Sequence, residues 1–129
     1  MLVYSDSKYK VDFIERGKVL RFGWYDGHES MTYEDFQEAC SNFIGHGFEQ
    51  GAKNILIDVR NFKLQLPPGF PEWQRKEHHP RYHRLGIAKV VYLMPEEALA
   101  NAKEMDKEEA GFEQRNFSDE SKAMAWFLN

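Results

Sequence analysis

The sequence predicts a single α/β domain, residues 1–129, whose sheet is mostly parallel. Two short apolar runs, residues 55–59 and 87–93, are typical of strands that are covered on both faces. Segments with helical periodicity separate these strands, and such alternation indicates parallel pairing with right-handed crossovers. Hydrophobic residues make up 42% of the chain, which is enough to build one core at this length.

The N-terminal part predicts an antiparallel hairpin followed by a helix. Apolar and polar residues alternate over 9–13, and Gly17 can adopt the left-handed conformation of a tight turn before a returning strand over 19–25. Thr32 and Asp35 then form a capping-box pattern, and apolar residues recur at helical spacing. The glycines of "GHGFEQG" are predicted to close this helix, since a nucleotide-binding loop would open one.

Prolines divide the middle of the chain. "PPGFP" predicts a loop, and Pro71 suits the first turn of the helix that follows it. Pro80 should break that helix near His79, because it lacks a backbone donor. After the second buried strand, Pro95 is predicted to open a third helix whose inward residues are Ala98, Ala102 and Met105.

The last segment predicts an edge strand and a final helix. "GFEQRNF" has few strongly apolar residues, which is typical of a strand at the edge of a sheet. Ser118 is predicted to cap the last helix, which buries Ala123, Trp126 and Phe127. The predicted order is β-β-α-β-α-β-α-β-α, a mixed sheet of about five strands with about four helices.

Three stretches carry a resemblance to a known family: "NILIDVRNF", "HRLGIAKVVYLM" and "RNFSDESKAMAWFLN". They resemble the STAS-like domains, in particular small stand-alone bacterial proteins with the anti-sigma-factor antagonist fold. The resemblance implies that fold and a binding or regulatory role, without catalytic residues. Signalling members carry a phosphorylatable serine just past the central strand, whereas this chain has no serine or threonine between Ile55 and Phe117. Some relatives have been compared with lipid carriers, so the resemblance also allows a lipid-like ligand.

Composition argues against several classes of protein. The net charge of −4 disfavours a nucleic-acid binder, which normally has a basic footprint. The apolar runs are too short for a transmembrane segment, and the N-terminus lacks the apolar core of a signal peptide. Cys40 is the only cysteine, which fits a reducing cytoplasm, and its place on the helical stripe favours a small buried residue over a reactive thiol. We therefore expect a cytoplasmic protein.

No motif identifies a reaction. His79 and His83 have the i, i+4 spacing of metal ligands, but Pro80 lies between them and disrupts the helix that makes this spacing useful. The sequence contains no nucleophile motif, so no catalytic residue, metal or cofactor is predicted. The alternative is a small enzyme that uses Asp58, Arg60 and the histidine segment from His78 to His83.

A ligand site is predicted outside the carboxyl ends of the parallel strands. Its apolar walls would be Phe62, Phe70, Trp73 and Met94, and Arg60 would hold an acidic head group. Two competing arrangements remain open: Arg60 could pair with Asp58 or with an acid of the last helix, and the apolar residues could pack together or against a second copy in a homodimer. The expected function is a non-catalytic module that recognises a protein partner or a small apolar or acidic, lipid-like ligand.

Overall fold

A computed structural model describes residues 1–129 and confirms the α/β class. Six strands form one sheet in the order β1-β2-β3-β4-β5-β6. The strands are Leu2–Ser5 (β1), Tyr9–Ile14 (β2), Val19–Trp24 (β3), Asn54–Asp58 (β4), Lys89–Leu93 (β5) and Glu113–Phe117 (β6). β1, β2 and β3 pair antiparallel, and β3 to β6 run parallel.

Five α-helices and two 3₁₀ helices join and cover the strands. The α-helices are Tyr33–Gln50 (α1), Phe70–Glu77 (α2), His79–Leu85 (α3), Lys107–Ala110 (α4) and Glu120–Phe127 (α5). The 3₁₀ helices are His28–Ser30 and Glu96–Asn101. None of the helices combines the length and the apolar character that a membrane-spanning helix requires.

Several local predictions are confirmed. Gly17 has a φ of 85° in the turn between β2 and β3. The Thr32 hydroxyl accepts from the Asp35 N–H, and the Asp35 carboxylate accepts from the Thr32 N–H, so the capping box is complete. Pro80 lies in the first turn of α3, where its missing N–H is tolerated, and α2 ends just before it.

Other local predictions are wrong. The helix predicted after Pro95 is a 3₁₀ helix without buried residues, followed by the short α4, because this acidic stretch offers no apolar stripe. Asp119, and not Ser118, is the N-cap of α5, since its carboxylate accepts from the Ser121 N–H. Gly45 and Gly47 lie inside α1, and only Gly51 closes it. β1 was not predicted.

The two faces of the sheet are covered very differently. The strand order never reverses, so right-handed crossovers place α1, α2 and α3 on the same face. This face holds a cluster of 19 buried residues, whereas α5 covers the other face with a cluster of only 6. A sheet of this order has no topological switch point, which is where open α/β sheets usually bind ligands. A site must therefore be sought between the layers.

Candidate ligand-binding cavity

An apolar cavity of about 230 Å³ lies between the sheet and the layer formed by α1, α2 and α3. Thirteen of its fifteen lining residues are hydrophobic. They are Phe22, Trp24, Phe36, Cys40, Phe43, Ile44, Ile57, Val59, Phe62, Leu66, Phe70, Tyr82 and Tyr92, and the other two are Gln74 and His78. A cavity of this size is exceptional in a domain core, where voids larger than a water molecule are few.

The cavity exists because α2 does not fill the space above the central strands. None of its residues is buried, and it reaches the sheet through Gln74, whose Nε2 donates to the Tyr92 hydroxyl at 2.7 Å. Ile57 and Tyr92 lie in central parallel strands and point towards this layer, yet both are only half-buried. The missing cover leaves a space that the loop between β4 and α2 closes from the side.

This loop is fixed at its beginning and loosely held beyond it. The Lys63 N–H donates to Nε2 of the buried His28 at 2.9 Å, and the Asn61 amide donates to the Trp24 carbonyl at 3.0 Å. Because Nε2 of His28 accepts, its Nδ1 carries the proton and donates to the Tyr25 carbonyl at 2.8 Å. By contrast, no backbone N–H of residues 64–66 has a protein partner. We call residues 64–69 the lid segment.

Two buried nitrogens, each in a lining residue, have no hydrogen-bond partner and almost no accessible surface. They are the Trp24 indole Nε1, from the sheet, and His78 Nε2, from the junction of α2 and α3. Burial, and secondarily the charges of Arg81 and His79, lower the pKa of His78 to about 4, so its ring is neutral at pH 7. Buried polar groups are nearly always paired, so each of these orphan nitrogens needs an explanation.

The predicted site residues separate into two groups. Phe62 and Phe70 line the cavity, and Trp73 packs behind Phe70 with their ring centroids 6.1 Å apart. Met94 and Arg60 do not reach the cavity, although they border a shallow surface groove that also includes Phe62. The structure therefore brings the aromatic walls together but places the proposed cation elsewhere.

Arg60 belongs to an ion network on the α5 face of the sheet. Its Nε and Nη2 donate to the two oxygens of the Asp58 carboxylate at 3.0 and 2.9 Å, and its Nη2 lies 3.6 Å from Glu120 Oε1. Arg21 also pairs with Asp58 and Glu120, both at 2.8 Å. The competing arrangement predicted from the sequence is thus confirmed. Arg60 pairs both with Asp58 and with Glu120, an acid of the last helix.

The network keeps both carboxylates charged. Burial on its own would raise the pKa of Asp58, but hydrogen bonds from the Arg60 side chain and N–H, with the charge of Arg21, outweigh it and lower the pKa. A hydrogen bond from Arg21 is the main cause of the lowered pKa of Glu120. The two arginines and the two carboxylates therefore neutralise one another, and their contacts link β3, β4 and α5.

The histidines of the segment from His78 to His83 point in different directions. His78 lines the cavity, His79 packs edge-on against Phe112 at 5.0 Å, and His83 Nε2 lies 2.7 Å from the Ala110 carbonyl oxygen. Asp58 and Arg60 face the opposite side of the sheet, so these groups do not converge. The structure contains no group of three or more His, Cys, Asp or Glu side chains that could hold a metal ion.

Sequence reasoning missed most of the cavity lining. Trp24 and Phe36 were placed correctly in a strand and a helix, but an apolar pattern does not reveal whether a core residue borders a void. His78, at the junction of α2 and α3, was predicted only as part of a polar segment. Cys40 is buried in the lining, as predicted, and burial raises the pKa of its thiol.

A fold does not by itself define a function, because one fold can carry many different sites. Comparisons of the chain with protein-family models, with curated proteins and with solved structures find no match. The cavity and the polar atoms in its walls are therefore the features from which a function can be inferred.

Proposed function

We propose that this protein is a non-catalytic binding module that holds a small, mostly apolar molecule in the cavity beneath the lid segment. The single observation that carries the proposal is a partly open cavity of about 230 Å³ that is lined almost entirely by hydrophobic side chains. An apolar cavity of about 150 Å³ in another protein is known to stay dry and to bind benzene, so this one has room for a larger molecule.

Energetics support an occupied cavity. Unfilled volume in a core costs about 24 cal/mol per Å³, which for a fully closed void of this size would amount to about 5 kcal/mol. Total stabilities of domains are about 5–15 kcal/mol; because the cavity is partly open to solvent, its actual cost is smaller than this upper bound. A ligand that fills it restores the lost contacts and stabilises the folded state.

The STAS-like resemblance supports the same kind of function, since it implies a binding or regulatory role. A protein partner was the other expected target. The cavity favours a small molecule, because its space lies between the sheet and the helices and is lined by hydrophobic side chains.

Native mass spectrometry of protein purified without denaturation tests the proposal. We expect a fraction of the wild-type chain to carry a small adduct that is lost on denaturation. Ile57→Phe should fill part of the cavity and remove the adduct. Ile14→Phe enlarges a half-buried residue beside the other cluster and should leave the adduct in place.

A second measurement covers the case in which the ligand is lost during purification. Naphthalene, added to the unliganded protein, should shift amide signals of the lining residues in a ¹⁵N correlation spectrum of wild type but not of Ile57→Phe. A protein that carries no adduct and shows no shifts with naphthalene would contradict the proposal.

A further inference from the structure

We infer that residues 64–77, which comprise the lid segment and α2 and which we call the cover, open to admit the ligand and close on it. This role of the cover rests on the proposed function, because it describes how a molecule reaches the same cavity and leaves it. Three observations carry it. The cover has few bonds to the rest of the domain, its apolar residues are incompletely buried, and a fixed point bounds it at each end.

A single side-chain hydrogen bond joins the cover to the rest of the domain, from Gln74 Nε2 to the Tyr92 hydroxyl at 2.7 Å. The backbone hydrogen bonds of the cover are internal, apart from the one with which the His78 N–H continues α2. Its ion pair, between Arg75 and Glu72, is internal as well. Segments with so few bonds to their surroundings open locally at a lower free energy than the rest of a domain.

The large apolar side chains of the cover are only half-buried. All four pack against the larger core cluster: Leu64, Leu66, Phe70 and Trp73. Leu66 and Phe70 also line the cavity, so a molecule inside it would take part of their surface out of water. Burial of apolar surface is favourable, and closure of the cover on a ligand is therefore stabilised by the hydrophobic effect.

A fixed point at each end of the cover provides a hinge. Before the cover, the Lys63 N–H donates to Nε2 of the buried His28. After it, α3 starts anew with Pro80 in its first turn and is anchored by the buried Tyr82. Because Pro80 has no N–H with which to continue the hydrogen bonds of α2, the junction of the two helices can bend at little cost.

The other walls of the cavity are held more firmly. β3, β4 and β5 each have a hydrogen-bonded neighbour strand on both sides. α1 buries six of its residues and begins with the complete capping box. An opening that admits a molecule of two rings therefore costs least at the cover.

Amide hydrogen exchange of wild type, measured by NMR with and without naphthalene, tests this opening. Without naphthalene, amides of α2 should exchange at least about tenfold faster than those of α1, after correction for intrinsic rates, because α2 opens locally. If opening and ligand release are coupled, naphthalene at about nine times its dissociation constant should slow exchange in α2 about tenfold. α4, a short helix that does not line the cavity, is the control and should keep its rates.

A variant of the hydrogen bond to the sheet should loosen the cover. Gln74→Met removes the donor to Tyr92 and keeps a side chain of similar length, so exchange in α2 of the unliganded protein should accelerate about threefold to tenfold. Asn42→Leu is the matched control. It removes the contact of another amide with a tyrosine hydroxyl, that of Tyr9, outside the cavity lining, and should leave exchange in α2 unchanged.

A variant of the lid segment should slow its opening. Gly69 does not line the cavity, its φ of −78° suits any residue, and an added Cβ meets nothing within 4 Å. Because alanine gains less backbone freedom than glycine when the segment opens, Gly69→Ala should slow both binding and dissociation of naphthalene about twofold to fivefold, with its dissociation constant nearly unchanged. NMR line shapes give both rates. Gly45→Ala, an equally unhindered change inside α1, is the control and should leave both rates unchanged.

The possible results separate the cover from the proposed function. If naphthalene binds to wild type but does not slow exchange in α2, or if α2 exchanges as slowly as α1, the cover does not open for the ligand and only the binding function stands. The same holds if Gly69→Ala leaves both rates unchanged or changes only one of them. If a variant does not fold, the exchange measurements on wild type decide. If naphthalene does not bind and the purified protein carries no adduct, both proposals fail.

Discussion

The two faces of the sheet show opposite ways of covering the same strands. On the α5 face, Leu56, Val91 and Leu93 are fully buried beneath one short helix, and the charges beside them are matched in pairs. On the other face, three helices and a loop supply far more apolar surface, yet they leave a cavity and two orphan nitrogens. The face with the larger core is thus the less completely packed one.

This difference in packing indicates which face of the sheet is the better place to look for a functional site. Interiors normally pack to the density of organic crystals, so a face that fails to do so while holding most of the aromatic residues carries a property that stability does not explain. Departures from local packing and pairing rules are expected at functional sites. The α5 face, in contrast, consists of a small apolar cluster and an ion network, both of which stabilise the fold.

The largest expected effect comes from a charge placed inside the better-filled part of the cavity face. Val90→Asp should unfold the domain, because Val90 is 1% exposed and an unpaired buried charge costs several kcal/mol of a total of about 5–15 kcal/mol. Circular dichroism and urea unfolding measure the effect. Leu2→Asp, at an exposed position of the edge strand β1, is the control and should remain folded. A folded Val90→Asp with wild-type stability would mean that β5 is misplaced.

A pair of neighbouring residues compares the two faces directly. Leu56→Ala should cost about 3–5 kcal/mol, because Leu56 is fully buried against the α5 cluster. Ile57→Ala should cost less, about 1–2 kcal/mol, because Ile57 already borders the cavity and loses fewer contacts. Urea unfolding of both variants gives the two values. Equal costs would indicate that the cavity face is as tightly packed as the other.

The sequence predicts the class of the fold well because hydrophobic periodicity, helix caps and helix-breaking residues are local signals. The buried strands β4 and β5, the capping box at Thr32 and the break at Pro80 each follow from a few adjacent residues. The failures are equally local in origin. β1 is a short edge strand without strict alternation, and the acidic stretch after Pro95 has alanines but no apolar stripe.

The candidate site was predicted only in part, because it depends on which face each side chain takes. Phe62 and Phe70 follow β4 and fold back over the cavity, whereas Arg60, two residues before Phe62, turns to the other face and pairs with Asp58 and Glu120. Alternation along a strand predicts such a reversal within the strand but not in the loop beyond it. The void itself has no sequence signal at all.

The ion network can be weakened without touching the cavity. Asp58→Asn should cost about 1–3 kcal/mol at pH 7, because it removes charged hydrogen bonds from Arg21 and Arg60. Asp12→Asn is the control: Asp12 pairs only loosely with Lys10, at 3.6 Å, and should cost less than about 0.5 kcal/mol.

The pH dependence of the Asp58 effect follows from its lowered pKa. A carboxylate whose pKa is lower in the folded than in the unfolded state contributes stability above the unfolded pKa and loses it as the pH falls through the folded one. The difference between wild type and Asp58→Asn should therefore be complete at pH 7 and shrink below about pH 4. Urea unfolding across this range measures it. A difference that stays constant down to pH 2 would show that the charge of Asp58 is not the source of the stability.

The anchor of the lid segment provides a smaller perturbation on the cavity face. His28→Leu removes the acceptor of the Lys63 N–H and should cost about 1–2 kcal/mol, since that donor is left unpaired. Hydrogen exchange measured by NMR should accelerate at Lys63 and Phe70 but not in β4. His46→Leu is the control, because it changes a histidine of α1 that does not line the cavity. Unchanged exchange at Lys63 would indicate that His28 does not hold the loop.

The smallest effect, and the only stabilising one, is expected at His78. His78→Leu removes a buried nitrogen that has no partner, so it should raise the stability of the unliganded protein at pH 7 by about 1 kcal/mol or less.

The stability gained by His78→Leu should grow as the pH falls. The folded-state pKa of His78, about 4, lies below the ordinary value of 6.5, so between these values the unfolded chain binds a proton that the folded chain does not. Wild type therefore loses stability over this range, and the leucine variant avoids the loss. Thermal unfolding at pH 7, 6 and 5 measures the trend, with His83→Leu, whose nitrogen lies against the Ala110 carbonyl, as the control. A destabilised His78→Leu at every pH would show that the ring has an unseen partner in the unliganded protein.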